Sequence, residues 1–310
     1  MTVRFSSDWT YRGLQALILE NNQLRVTILP DLGGKIWSIV AKSRDRELLW
    51  HNPRVEPRFA SYGSTYDNWF CGGWDEVFPN DFPVTIGGES YPDHGEVWAL
   101  TADWQIILHS QDEIAIRLTS RGVAIPTTFV KTVSLGRDST DLIVDYEIAN
   151  DGANPLDVHW KMHPALPVRP GAQLHVPADN VVIDEDFGED EVLGQSLPTP
   201  DFGTSYFQYG TELRSGSCAV TYPDESLGFR LSFDPTILTS VWVFATFGGW
   251  RGLNTIILEP CTGHFASLER AIAERAVLTL APHTGMKTSV TASILIGDEA
   301  ISVFTLDGRL

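Results

Sequence analysis

Three polar side chains stand in surroundings that should be largely buried, and their types suit proton transfer. Glu259 follows the apolar run Ile256, Ile257, Leu258 and precedes Pro260. A carboxylate drawn into such surroundings loses solvation, which raises its pKa toward the range where it serves as a base near neutral pH. Pro260 is expected to stop the strand and leave Glu259 at its end. His163, in VHWKMHPAL, falls between a strand expected to end near Trp160 and a turn directed by Pro164. His159 lies four residues earlier, so an extended strand places both on one face. His94, in YPDHGEVW, precedes Gly95, which lets the backbone turn and another group approach closely. Each has a plainer alternative: a glutamate pointing to water, a core histidine with a backbone partner, and a turn histidine satisfied by Asp93.

Other chemistries find no support. The eight histidines are scattered, with no HExxH and no Cys/His spacing suited to zinc. There is no GxSxG elbow, and the paired glycines build neither GxGxxG nor a P-loop. Neither a metal nor a cofactor is expected. The formal charge of −18 repels phosphate backbones and anionic lipid, which argues against nucleic-acid and membrane partners. Cys71, Cys218 and Cys261 are too few and too irregular for a disulfide framework, which points to a reducing compartment. Arg4, Asp8 and Arg12 interrupt any apolar leader, and no apolar run approaches the ~18 residues of a membrane span. A cytoplasmic protein is the expectation; the oligomeric state is open.

The elements that must position these residues are strands. LQALILE and LRVTILP flank Asn21-Asn22 as a hairpin, and WQIILHS, EIAIRLTS, FVKTVSL and DLIVDYEIAN follow. Leu142, Val144, Tyr146 and Ile148 alternate as in a strand with one buried face. CAVTY, GFRLSF, TSVWVFATF, NTIILEP, AVLTLAP and TSVTASILIG continue the pattern; the one persuasive helix is Ser267 to Ala276. The inventory predicts an all-β fold, a large antiparallel β-sandwich in one domain over 1–310. Two stretches break the rhythm. The segment from about His51 to Tyr91 is rich in Gly, Pro and aromatics and is expected to form the site. The acidic segment from about Val182 to Phe207 is expected to be a solvated excursion.

Taken in order, His94, His163 and Glu259 resemble the catalytic residues of aldose 1-epimerases, the galactose mutarotase-like proteins. LPDLGGKIWSIV resembles that family's opening strand pair, and GGWDEVFPN followed by DHG the approach to its first active-site histidine. MHPAL is similar to its second histidine motif, IILEPCTG to its glutamate strand, and LTLAPHTGMKTSVTASI to its closing pair. The resemblance spans nearly the whole chain. It implies a galactose mutarotase-like supersandwich acting on the anomeric centre of a sugar without a cofactor. Glu259 would be the base and His163 the acid, with His94 hydrogen-bonding the ring oxygen.

Two departures stand out. No arginine lies between Arg58 and His94, and Pro282, His283, Thr284 occupy the place of the family's Pro-Gly-Glu. The substrate contacts are therefore expected to differ, with Trp74, Asp75, Asn80, Trp160 and Arg251 as the nearest candidates. Indole faces suit the C–H face of a sugar, and Asp and Asn suit its hydroxyls. Two rivals stay open: a non-catalytic carbohydrate-binding or regulatory protein on the same fold, and another sugar enzyme such as an epimerase or lyase.

Overall fold

The computed structural model describes residues 2–183 and 197–302. The strand-like runs become strands, and every pairing between them is antiparallel. Among the described residues they form two large sheets of 11 and eight strands. The larger runs Arg4–Tyr11, Leu14–Glu20, Leu24–Leu29, Lys35–Ala41, Trp74–Val77, Lys161–Pro167, Asn254–Cys261, Ser240–Phe247, Thr204–Leu213, Ala178–Ile183, with Arg46–Glu47 attached to Lys35–Ala41. The second sheet is built around Gly285–Ile296, Asp141–Asn150 and Thr127–Gly136. One continuous core joins them: Val26, Ile28 and Ile39 from the first sheet pack with Val133, Val144 and Ile294 from the second. Leu142, Val144, Tyr146 and Ile148 are buried, whereas Ile143 between them is exposed, the outcome that strand alternation requires.

The expected helix shortens to Leu268–Ala273, capped by the Ser267 hydroxyl, which accepts from the Arg270 amide. No helix among the described residues is long and apolar enough to cross a membrane. The acidic residues 184–196 of the expected excursion lie outside the described residues.

Two strands of the large sheet depart from the reading of their prolines. Asn254–Cys261 continues through Glu259 and Pro260, and Lys161–Pro167 contains both His163 and Pro164. Glu259 and His163 are thus inside the sheet, not at strand ends. A proline removes one ladder donor but need not end pairing when strands on both sides hold the remainder. Lys161 pairs with Cys261 and Ala165 with Ile257, and the ladder is interrupted between them, where Pro164 and Pro260 sit. The same register brings His163 opposite Glu259.

Candidate active site

The period of two divides these strands cleanly. Met162, Leu166, Ile256 and Leu258 enter the core, while Lys161, His163, Ile257 and Glu259 face the other way. On the adjoining strands Phe244 and Phe207 share that outer face, and the register aligns Phe207, Phe244 and Ile257 in one row. The loop between the Lys35–Ala41 and Trp74–Val77 strands adds Tyr66, Asp67 and Phe70; the stretch beyond Val77 adds Asp81, Phe82, Asp93 and His94; Trp250 closes the ring. They line a cleft of about 650 Å³, mouth included.

WDEVFPND is central to this arrangement. Asp75 and Glu76 are neighbours in sequence and project to opposite faces of the sheet. Glu76 enters the core, accepting from Lys131, Tyr146 and the indole of Trp160. Asp75 accepts from Lys35 Nζ at 2.6 Å and Tyr66 Oη at 2.7 Å. Asp81 accepts from Lys161 Nζ at 2.5 Å. Three buried lysines therefore meet three carboxylates from this short segment, the pairing that burial of each charge demands.

Glu259 is almost wholly buried, and its Oε2 touches Lys161 Nζ. Burial pushes its pKa up to about 7, with Lys161 drawing it down and Asp81 drawing it up. Lys161 is held above the ordinary lysine value: burial opposes the charge, but Asp81 and Glu259 outweigh it. Its ammonium also lies 4.1 Å from the Trp242 ring centroid.

His94 has a left-handed backbone, φ +56, rare for a residue with a Cβ and often stored where function demands it. Its amide bonds to Asp81 O, and Gly95 at φ +70 passes so near Phe78 that a Cβ would lie 2.0 Å from the Phe78 oxygen. The ring stacks on Tyr66 at 4.2 Å between centroids, with Nδ1 2.8 Å from Asp93 Oδ1 and Nε2 3.6 Å from Asp81 Oδ1. Burial lowers its pKa, but Asp81 and Asp93 raise it further, leaving it above the ordinary value. His163, 5.9 Å from His94 between ring centroids, behaves oppositely: burial, then the charges of Lys161, His94 and Lys35, hold it well below the ordinary value. His159 stays off the cleft wall, its Nε2 near Phe265 O and its pKa pushed by burial to about 4.

The structure brings His94, His163 and Glu259 onto one cleft and places the expected substrate contacts elsewhere. Trp74 is fully buried in the core against Phe229, because its position in the strand directs it between the sheets. Trp160 is likewise core, bonded to Glu76. Asp75 lies behind Tyr66, and Asn80 ties the loop by donating to Phe82 O and Pro92 O. Arg251 is exposed and holds the cleft residue Asp67 through its backbone oxygen at 2.6 Å. The sequence reading missed Lys161 and Asp81 as well as Tyr66 and Trp250. Lys161, two residues before His163 on the same strand face, was accessible to the alternation rule that linked His159 and His163.

Comparison with known proteins fits this architecture. A family profile described as a domain of unknown function (DUF5107) matches residues 6–91. A Klebsiella pneumoniae protein provisionally assigned as an aldose 1-epimerase superposes with a TM-score of 0.80 at 15% identity, over 98% of this chain and 86% of the other. A galactose mutarotase-like protein from Clostridium acetobutylicum gives 0.70 at 11% identity, over 95% and 99%. The fold is the galactose mutarotase-like sandwich. A galactose mutarotase related enzyme from Lactobacillus acidophilus shares this sandwich at a TM-score of 0.61 and 17% identity, over 92% and 99%. Identities this low carry the fold and leave the chemistry to be argued from the cleft.

Proposed function

We propose that this chain is a mutarotase of the aldose 1-epimerase type, interconverting the α and β anomers of a monosaccharide. The observation that carries the reading is Glu259: a buried carboxylate on the cleft wall, with a pKa of about 7 and two histidines close by. Mere binding of a sugar gives no reason to bury a carboxylate with its proton affinity raised to neutrality, whereas a base acting at neutral pH does. The fold shared with galactose mutarotase-like proteins supports the same reading.

In this reaction Glu259 takes the proton from the anomeric hydroxyl as the C1–ring oxygen bond breaks. The bonding pair goes to the ring oxygen, which receives a proton from the histidine side of the cleft. Rotation about C1–C2 presents the other aldehyde face, and closure reverses both transfers. Each positioned acid or base contributes roughly 10²–10⁴-fold in rate. Phe70, Phe207, Phe244 and Trp250 supply apolar faces for the sugar C–H groups.

The test is an anomer-exchange NMR screen over neutral and acidic monosaccharides. Accelerated exchange for at least one sugar is expected. Sugar binding without exchange would instead support a carbohydrate-binding protein on this fold.

A further inference from the structure

The cleft holds a chain of alternating charge. Asp93 Oδ1 bonds to His94 Nδ1 at 2.8 Å; His94 Nε2 faces Asp81 Oδ1 at 3.6 Å; Asp81 Oδ2 bonds to Lys161 Nζ at 2.5 Å; Lys161 Nζ touches Glu259 Oε2. Two members of this chain, His94 next to one end and Glu259 at the other, line the cleft as a histidine and a glutamate. Building on the mutarotase reading, we infer that His94, not His163, donates the proton to the ring oxygen, and that Asp81 and Lys161 are positioning residues coupling it to Glu259.

The proton inventory on the two histidines supports this division. Tyr66 has one hydroxyl proton, which it donates to Asp75 at 2.7 Å. The contact of 3.2 Å between Tyr66 Oη and His163 Nδ1 is then satisfied only if Nδ1 carries the proton and the tyrosine oxygen accepts it. Neutral His163 accordingly has Nε2 unprotonated, an acceptor for a sugar hydroxyl. A second proton would have to be taken up in a buried place facing the charges of Lys161, His94 and Lys35. His94 is the reverse case. Its Nδ1 is held by Asp93, and its Nε2 stands just beyond hydrogen-bond reach of Asp81. An N–H there is unspent and open to the cleft, and the surrounding Asp81 and Asp93 favour the imidazolium.

The step balances. Glu259 gains the anomeric proton and His94 loses one to the ring oxygen, so the protein's charge is unchanged. As Glu259 becomes neutral, the Lys161 ammonium is released to Asp81, which then faces a neutral imidazole. Closure restores the starting state. The charged and titratable groups around His94 are Asp93, Asp81, Lys161, Asp67, Glu259, the stacked Tyr66 and neighbouring His163.

Protonation states can be read without substrate, by NMR of the full chain labelled with ¹⁵N-histidine and assigned with His94→Gln and His163→Gln. His94 is expected to remain doubly protonated to higher pH than an ordinary histidine. His163 is expected to stay singly protonated at Nδ1 in the acidic range where free imidazole is charged. Lys161→Met should move the His94 titration up, and Asp81→Asn should move it down. A His163 that charges before His94, or a His94 titration unmoved by Lys161→Met, would overturn the inference. With an exchanging aldose, His94→Gln should lower kcat by about 10²-fold and abolish the alkaline limb of the pH–rate profile. His163→Gln should raise KM with both limbs retained; loss of the alkaline limb in His163→Gln alone would overturn the assignment. Failure to exchange any aldose would overturn the mutarotase reading, and with it the ring oxygen as the acceptor of the His94 proton, whereas the division of protonation states between His94 and His163 is decided separately by the histidine titrations.

Discussion

Lys161 and Glu259 lie on adjacent strands without being register partners. Lys161 pairs with Cys261, and its ammonium reaches across to Glu259 while bonding Asp81 on the other side. This geometry makes one buried cation responsible for the ionised state of two carboxylates. Glu259 accordingly sits near neutrality instead of being driven far higher by burial.

Removal of that cation gives a directional expectation. Lys161→Met keeps the length of the side chain and deletes the charge that lowers the Glu259 pKa. The acid limb of the pH–rate profile, expected near the Glu259 value of about 7, should move to higher pH. Activity at pH 7 should fall while activity in mildly alkaline buffer partly recovers. Leaving buried carboxylates unpaired should also cost about 3–5 kcal/mol of stability, so the profile is measured at low temperature with folding checked by circular dichroism. An unmoved acid limb would show that Lys161 does not govern Glu259.

Gly95 sets the turn that presents His94. A methyl group there would meet the Phe78 carbonyl at 2.0 Å, and φ +70 is unfavourable for alanine. Gly95→Ala should lower stability by more than about 1 kcal/mol and reduce activity disproportionately, because the displaced turn carries His94. A thermal melt and exchange kinetics matching wild type would contradict this account of the turn.

The two tryptophans Trp74 and Trp250 should separate stability from binding. Trp74 is sealed in the core, so Trp74→Phe should cost about 1–3 kcal/mol in stability and leave sugar affinity near wild type. Trp250 lies on the cleft, so Trp250→Ala should weaken sugar binding by about tenfold, the loss of roughly 1.4 kcal/mol of ring contact. Titrations followed by ligand NMR, beside chemical denaturation, measure both. The opposite pattern would return Trp74 to the site.

The strand inventory was legible because alternation survives in sequence whenever one face of a strand is buried, as in Leu142, Val144, Tyr146 and Ile148. His94, His163 and Glu259, singled out by their chemistry and by their order's resemblance to a known family, do line one cleft. The orientation of neighbouring groups was not legible. Trp74 and Asp75 are adjacent, yet one enters the core and the other meets Tyr66, and only the register to Pro164 and His163 decides which. Pro164 and Pro260 read as strand ends but lie within the sheet, because pairing on the outer sides of both strands includes them, Pro164 opposite Trp74 and Pro260 opposite Val241. Lys161 read as an ordinary lysine because its partners Asp81 and Glu259 are 80 and 98 residues away in the chain (161 − 81 and 259 − 161).

Charge in the cleft should select among sugars. Asp67, Asp81, Asp93 and Glu259 line the wall; Arg251 pairs with Asp67 from outside it, and Lys161 and His94, the cations on the wall, are already engaged with the other three. A phosphate or carboxylate on the substrate would meet surplus negative charge in a poorly solvated place. Neutral aldoses should therefore bind and exchange at least tenfold better than their phosphorylated or uronate counterparts. Competition measured at two salt concentrations would expose the effect; tighter binding of the anionic sugar would refute it.

Exchange catalysed by Glu259→Gln tests the central claim most directly. Glutamine keeps the size of the side chain but cannot accept the anomeric proton. With a sugar that wild type turns over, Glu259→Gln should fold, bind that sugar and lose about 10²-fold or more in kcat, with the acid limb near pH 7 abolished. A folded, sugar-binding Glu259→Gln that exchanges anomers at the wild-type rate would contradict the account.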